Sequence, residues 1–383
     1  MIKKTIILIL PLMMMLGCRE EFMPDVNKYQ NLLVVDGMIT TDPGPYTIKL
    51  SRTSEVNKPD YDPLTGCEVR IEERTGEIEV LSEAEPGVYK TSRDGIQGEV
   101  GKSYKLSIIT PEGKEYASEF IEMQPEVEIG SIRAELQLKE SQNYPRPLGG
   151  YQFYVTTMPA SEEANILWKL EETYEYTSQF KIDYIYRGMG IEEFQNSDTL
   201  YRCWKTQKIN EFFVSSTRSL TGTQITNKPL HFVNSSTKRL QVRYSLLVKQ
   251  YNLNNEAYNY WSDLREQIAS DDFLFASQPY QMLGNVRNVD NDEEAVLGYF
   301  TVGSVTTKRA FFDKPDIEFF YDKCVPNPDL RGLGYMGPNQ FPVYLANTNV
   351  GIALASEFCF DCTLWNGKLN KPDFWVDGKS DNN

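Results

Sequence analysis

The chain has 383 residues and a formal charge of −15. At roughly 150 residues per domain this length suggests about two domains, and the acidity argues against binding nucleic acid or anionic lipid by electrostatics. With 23 Tyr and 19 Phe and few Lys/Glu-rich helical blocks, the composition points to a mostly β protein.

The first residues read as an export signal. Lys3 and Lys4 precede an apolar run from Ile6 to Leu16, broken by Pro11. The run is too short for the ~20 residues that a membrane-spanning helix needs. Met15-Leu16-Gly17-Cys18 resembles a bacterial lipobox, in which the cysteine is lipidated and becomes the new N-terminus. On this reading residues 1–17 are a signal peptide and residues 18–30 a lipidated tether. The alternatives are a general secretory signal with a chance cysteine, or a buried N-terminal helix. Arg19-Glu20-Glu21 resembles the basic-acidic-acidic export tag of surface lipoproteins in Bacteroidota-type bacteria, and is otherwise an ordinary polar tether. Acyl chains contribute ~0.8 kcal/mol per buried methylene. The expected location is therefore the outer membrane, lipid-anchored and facing the cell exterior.

Strand and turn signals follow. "NLLVVDGMITTDPGPYTIKLSRTS" reads as two strands joined by a Pro/Gly turn, and Thr75-Gly76 and Pro111-Glu112-Gly113 turn two further hairpins. This spacing predicts an N-terminal immunoglobulin-like β-sandwich over residues 31–127. Residues 128–383 are expected to form a larger β-rich domain, with strands in "YQFYVTTM", "NILWKLEETYEY", "FKIDYIYRG", "LQVRYSLLVKQY" and "VLGYFTVGSVTTKRAFF". One main helix is predicted near 255–269. Its stripe is Ala257, Trp261, Leu264 and Ile268, and Asn254 or Asn255 is its cap. Beyond residue 325 the chain reads as loop-like.

Six cysteines are present. Cys18 is assigned to lipid. Cys67 alternates with Val69 and Ile71 and is expected to be a free, inward-facing thiol. Cys203, Cys324, Cys359 and Cys362 remain as disulfide candidates, with three pairings open. At least one bond is expected between Cys324 and the "CFDC" pair. Zinc at the C-x-x-C spacing is the alternative, but it lacks a nearby histidine.

Several phrases together resemble one family. They are "LVVDGMI", "GEVGKSYKLSIITPEGKEYAS", "CWKT", "RYSLLVKQYNLNNEAYNYWSDL", "GNVRN", "VLGYFTVGSVTTKRAFF" and "CFDCTLWNGKLNKPDFW". In this order the chain resembles the outer-membrane lipoproteins of the domain of unknown function 4249 family. The resemblance implies association with a TonB-dependent transporter and supplies no catalytic residues.

The sequence holds no G-x-S-x-G, H-E-x-x-H or P-loop. Its single histidine, His231, sits among apolar neighbours and reads as structural. Acidic clusters at "SDDF" and "DNDEEA" read as a helix end and a solvated hairpin tip, the latter weakly as a calcium loop. Tyr174 and Tyr176 share one strand face, and Tyr184 and Tyr186 another. They read as sheet packing or, alternatively, as a platform for a glycan or peptide ligand. Arg331, Tyr335 and Phe341, in "RGLGYMGPNQFP", form a second candidate contact loop. The expectation is a non-catalytic, ligand-capturing accessory with no cofactor and no metal. A surface hydrolase acting on glycan or peptide, and a structural or adhesive envelope protein, are the alternatives.

Overall fold

A computed structural model describes residues 31–54, 61–141, 143–270 and 282–378. The lipobox with Cys18, the Arg19-Glu20-Glu21 tag, and Asp271 and Asp272 of the first acidic cluster lie outside the described residues. The chain is mostly β-strand, with one α-helix among the described residues, Asn255–Ser270.

A nine-stranded sheet forms the backbone of the molecule. From one edge its strands begin Arg202–Ser216, Asn165–Thr177, Arg243–Leu253 and Leu297–Asp313, then Leu33–Thr40, Thr47–Arg52 and Val88–Lys90. The 17-residue strand Leu297–Asp313 joins the two halves. Its first half pairs in parallel with the N-terminal strand, Val34 opposite Leu297. Its second half pairs antiparallel with Arg243–Leu253. Gly298 has φ +80°, and a Cβ there would collide with the Val35 carbonyl, so glycine permits this close parallel approach.

Two cores divide between Met123 and Val127. The first lies between the central sheet and a six-stranded sheet that includes Glu68–Glu73 and Ser103–Ile109. Strand alternation sends Ile48 and Leu50 of one sheet toward Val69, Ile71, Leu106 and Ile108 of the other. Fully burying each such side chain contributes ~1.5–3 kcal/mol. Thr75-Gly76 and Glu112-Gly113 do turn the two predicted hairpins. The core expected to close within residues 31–127 also takes Val286, Val296, Phe300 and Val302 from far downstream. Cys67 stands just before the Glu68 strand, unbonded and packed part-buried on this core.

The second core lies on one face of Asn165–Thr177 and Arg243–Leu253. A three-stranded sheet covers it, formed by Ile129–Lys139, Leu148–Thr157 and Lys228–Asn234. Trp168 is fully buried there and donates its indole N–H to Gln250 Oε1 at 2.8 Å. The helix lies on the opposite face. Asn254 Oδ1 caps it by accepting from Ala257 N at 2.9 Å. Ala257 is buried, and Trp261 packs edge-on against Phe212 at 5.1 Å. The predicted stripe does not run to the end of the helix, since Ile268 is exposed.

The segment beyond residue 325 is not all loop. Val343–Thr348 and Gly351–Leu354 form a hairpin that adds to Tyr184–Tyr186 and Ile191–Glu193 in a four-stranded sheet. Cys324 bonds Cys359, and Cys203 bonds Cys362. The Cys203–Cys362 bond pins the C-terminal segment to the strand Arg202–Ser216, and Cys324–Cys359 closes a loop of that segment on itself.

Candidate ligand-binding cleft

The face of Asn165–Thr177 that lines the second core carries Trp168, Leu170, Glu172, Tyr174 and Tyr176 in alternation. Toward Thr177 the covering sheet recedes and the core opens into a cleft of about 330 Å3. Tyr174 and Tyr176 form its inner wall, their rings 5.6 Å apart and largely buried. They are packed side chains whose edges reach the cleft, so neither forms an open platform.

The opposite wall is a short 3-10 turn, Lys238–Leu240, that begins after the Thr237 cap. It brings Lys238 and Arg239 into the cleft. Lys238 Nζ donates to the Thr177 carbonyl at 2.9 Å and lies 5.8 Å from the Tyr321 ring and 5.5 Å from the Trp365 ring. Burial pushes its ammonium pKa down. Lys205 enters from the edge strand, where it is the register partner of Tyr174. Among the described residues neither Lys205 nor Lys238 has a carboxylate within ion-pair distance. Asp322 is the one carboxylate among the lining residues, and it is exposed.

Beneath the cleft Glu172 is buried and committed. Tyr244 Oη donates to it at 2.6 Å and Gln207 Nε2 at 2.5 Å, and Arg239 Nη1 lies 3.4 Å away. The carboxylate burial is thus matched by donors rather than left open to solvent. His231 stands behind Arg239. Arg239 Nη1 lies 3.5 Å from His231 Nε2. Because arginine only donates, Nε2 can take part in this contact only as the acceptor. Nδ1 lies 3.4 Å from the Glu211 carboxylate without hydrogen-bond geometry. His231 does not line the cleft.

Trp365 forms the outer lip. It belongs to the turn Cys362–Trp365, which the Cys203–Cys362 bond holds on the edge strand. Tyr176 Oη donates to the Cys362 carbonyl at 2.7 Å. Trp204 and Lys368 exchange backbone hydrogen bonds at 2.9 and 2.8 Å. Gly367 lies so close to Cys203 that a Cβ there would sit 2.7 Å from the Cys203 Cβ.

The other candidate residues lie elsewhere. Tyr184 and Tyr186 stand on the four-stranded sheet, half-buried. Phe341 meets Tyr186 edge-on at 5.6 Å, because Tyr186 pairs with Val343. Tyr335 is exposed, as is Arg331, which holds Asp329 through hydrogen bonds of 2.8 and 2.6 Å. The structure joins this loop to Tyr184 and Tyr186 and separates both from Tyr174 and Tyr176. In "DNDEEA", Glu294 turns inward to Tyr116, Lys114 and Asn288.

A second cleft of about 460 Å3 lies on the helix side of the sheet. Its lysines, Lys169, Lys208 and Lys249, are balanced by Asp36, Glu171 and Glu211 in the same lining. The cleft at Tyr174 sets Lys205, Lys238 and Arg239 among ring faces with a single carboxylate, Asp322, in its lining, and this excess of cations makes it the better ligand site. Sequence reading missed Lys205, Lys238, Tyr321 and Trp365, which come from separate stretches of chain. The pair of half-matched signals near at hand was Tyr174-x-Tyr176 and the cysteine beside Trp365.

The model of a domain of unknown function, DUF4249, matches residues 19–309. No curated protein matches the chain.

Proposed function

The chain belongs to the DUF4249 family, and from that premise we propose that it is a lipid-anchored accessory of the outer membrane that captures a ligand for a neighbouring TonB-dependent transporter. The lipobox at Cys18 and the tag at Arg19-Glu20-Glu21 support the anchor and its outward face. The observation that carries the capture reading is the cleft, with its ring faces and two lysines that have no carboxylate partner among the described residues. A small ligand cleft of this kind works by a mostly apolar wall and a few placed polar groups. Glycoside hydrolysis asks for two carboxyl groups flanking the scissile bond. Here Asp322 lies at the cleft and Glu172 is already engaged by Arg239, Tyr244 and Gln207.

The test is affinity purification of the tagged, full-length protein from native outer membranes under mild detergent. A TonB-dependent transporter should co-purify in near-stoichiometric amount. Its absence, or a hydrolytic activity that disappears in a folded Asp322→Asn variant, overturns the reading.

A further inference from the structure

We infer that the cleft takes an acidic sugar, with its carboxylate or sulfate held by Lys205 and Lys238 and its ring laid against Tyr321 and Trp365. The inference rests on the capture reading and names its ligand class.

Three observations lead to it. The first is charge. The whole chain is strongly acidic, yet the cleft holds two lysines without a carboxylate partner among the described residues. Lys238 uses one N–H on the Thr177 carbonyl, which leaves two donors for an incoming anion. An ammonium that burial already disfavours gains from a counter-charge brought by a ligand.

The second is shape. A volume of about 330 Å3 stands at the low end of ordinary ligand clefts, about 300–1,000 Å3. It suits one small unit of a longer molecule. The half-exposed indole of Trp365 at the lip offers a flat apolar surface to the C–H face of a sugar ring.

The third separates sugar from peptide. One common way to capture an extended peptide is to add it as a strand to a free sheet edge. At Trp204 the edge beside this cleft is already taken, since Trp204 exchanges both backbone hydrogen bonds with Lys368. Recognition must come from side chains, and these are rings and cations.

Isothermal titration of the purified full chain tests this with five probes. They are oligogalacturonate, a sulfated chondroitin oligosaccharide, a neutral malto-oligosaccharide of similar length, oligoglutamate and benzoate. One or both acidic sugars should bind, and more tightly than the neutral sugar, oligoglutamate or benzoate. Their relative affinities separate a carboxylate from a sulfate. Binding should weaken with salt, by about tenfold in Lys205→Gln, and fall similarly in Trp365→Ala but not in Trp365→Phe. Lys205 is half-buried but has no carboxylate partner among the described residues, so Lys205→Gln should leave thermal unfolding nearly unchanged. Equal or tighter binding of the neutral sugar overturns the inference and leaves the capture reading standing. Preference for oligoglutamate or benzoate overturns it in favour of a peptide or aromatic acid. No binding by any probe also overturns it, while transporter co-purification judges the capture reading independently.

Discussion

Cys362 is bonded to Cys203 across 159 residues, and Cys203 is the register partner of Tyr176 on the neighbouring strand. Tyr176 returns the contact by donating to the Cys362 carbonyl. The outer lip of the cleft is therefore tied covalently to the edge strand and by a hydrogen bond to the inner wall. The second disulfide, Cys324–Cys359, closes a much shorter interval of 35 residues.

Removing the long-range bond should cost more than removing the short one. Loop-closure entropy predicts a difference of about 1 kcal/mol between the Cys203→Ser/Cys362→Ser and Cys324→Ser/Cys359→Ser double variants. Urea unfolding of each against the parent chain measures it. The opposite ranking would show that local packing around Phe360 outweighs chain restriction.

Arg239→Met should lower stability by about 3 kcal/mol, because it leaves the Glu172 carboxylate buried with a charge partner removed. The double variant Arg239→Met/Glu172→Gln should recover part of that loss. Denaturation of the four species in a double-mutant cycle reads the coupling, and strict additivity would refute it.

Glu294 sets a pH dependence. Burial works to raise its carboxyl pKa, but hydrogen bonds from Tyr116, Lys114 and Asn288 outweigh it and hold the pKa below its ordinary value. The folded state then binds the proton less readily than the unfolded chain. Its contribution is present above the unfolded pKa, about 4.3, and is lost as pH falls through the lower folded value. Glu294→Gln should cost about 1–3 kcal/mol at neutral pH, with the gap to the parent narrowing in acid. Thermal unfolding across pH 2–7 follows it, and a gap that stays constant would assign the loss to packing instead.

The anchor is tested at its cysteine. Cys18→Ser should move the protein from the membrane fraction to the soluble fraction, and added protease should cut the parent protein on intact cells. Retention of the variant through a carbonate wash would refute lipidation at Cys18.

Local chemistry made part of this legible. Val69 and Ile71 alternate with charged neighbours and do face a core, and Asn254 caps the helix as its side chain suggests. The edge strand Arg202–Ser216 was hidden because Lys, Gln, Asn and Glu dominate its middle, residues that seldom mark a strand. The parallel pairing of Val34 with Leu297 leaves no local periodicity to read. The cleft was half-visible for a similar reason. Tyr174 and Tyr176 announce a shared face, but Lys238, Tyr321 and Trp365 reach it only through tertiary contacts.

The strand Leu297–Asp313 has a consequence in time. Leu33, Val35 and Ile39 are among the first apolar residues of the described chain, yet the core they enter stays open until Phe300 and Val302 arrive. Pairings this distant must overcome loop-closure entropy before they return any contact energy, which slows folding. The N-terminal third must remain unfinished while most of the chain is still being made. A polypeptide built in this order keeps its N-terminal core open until its later strands have been made.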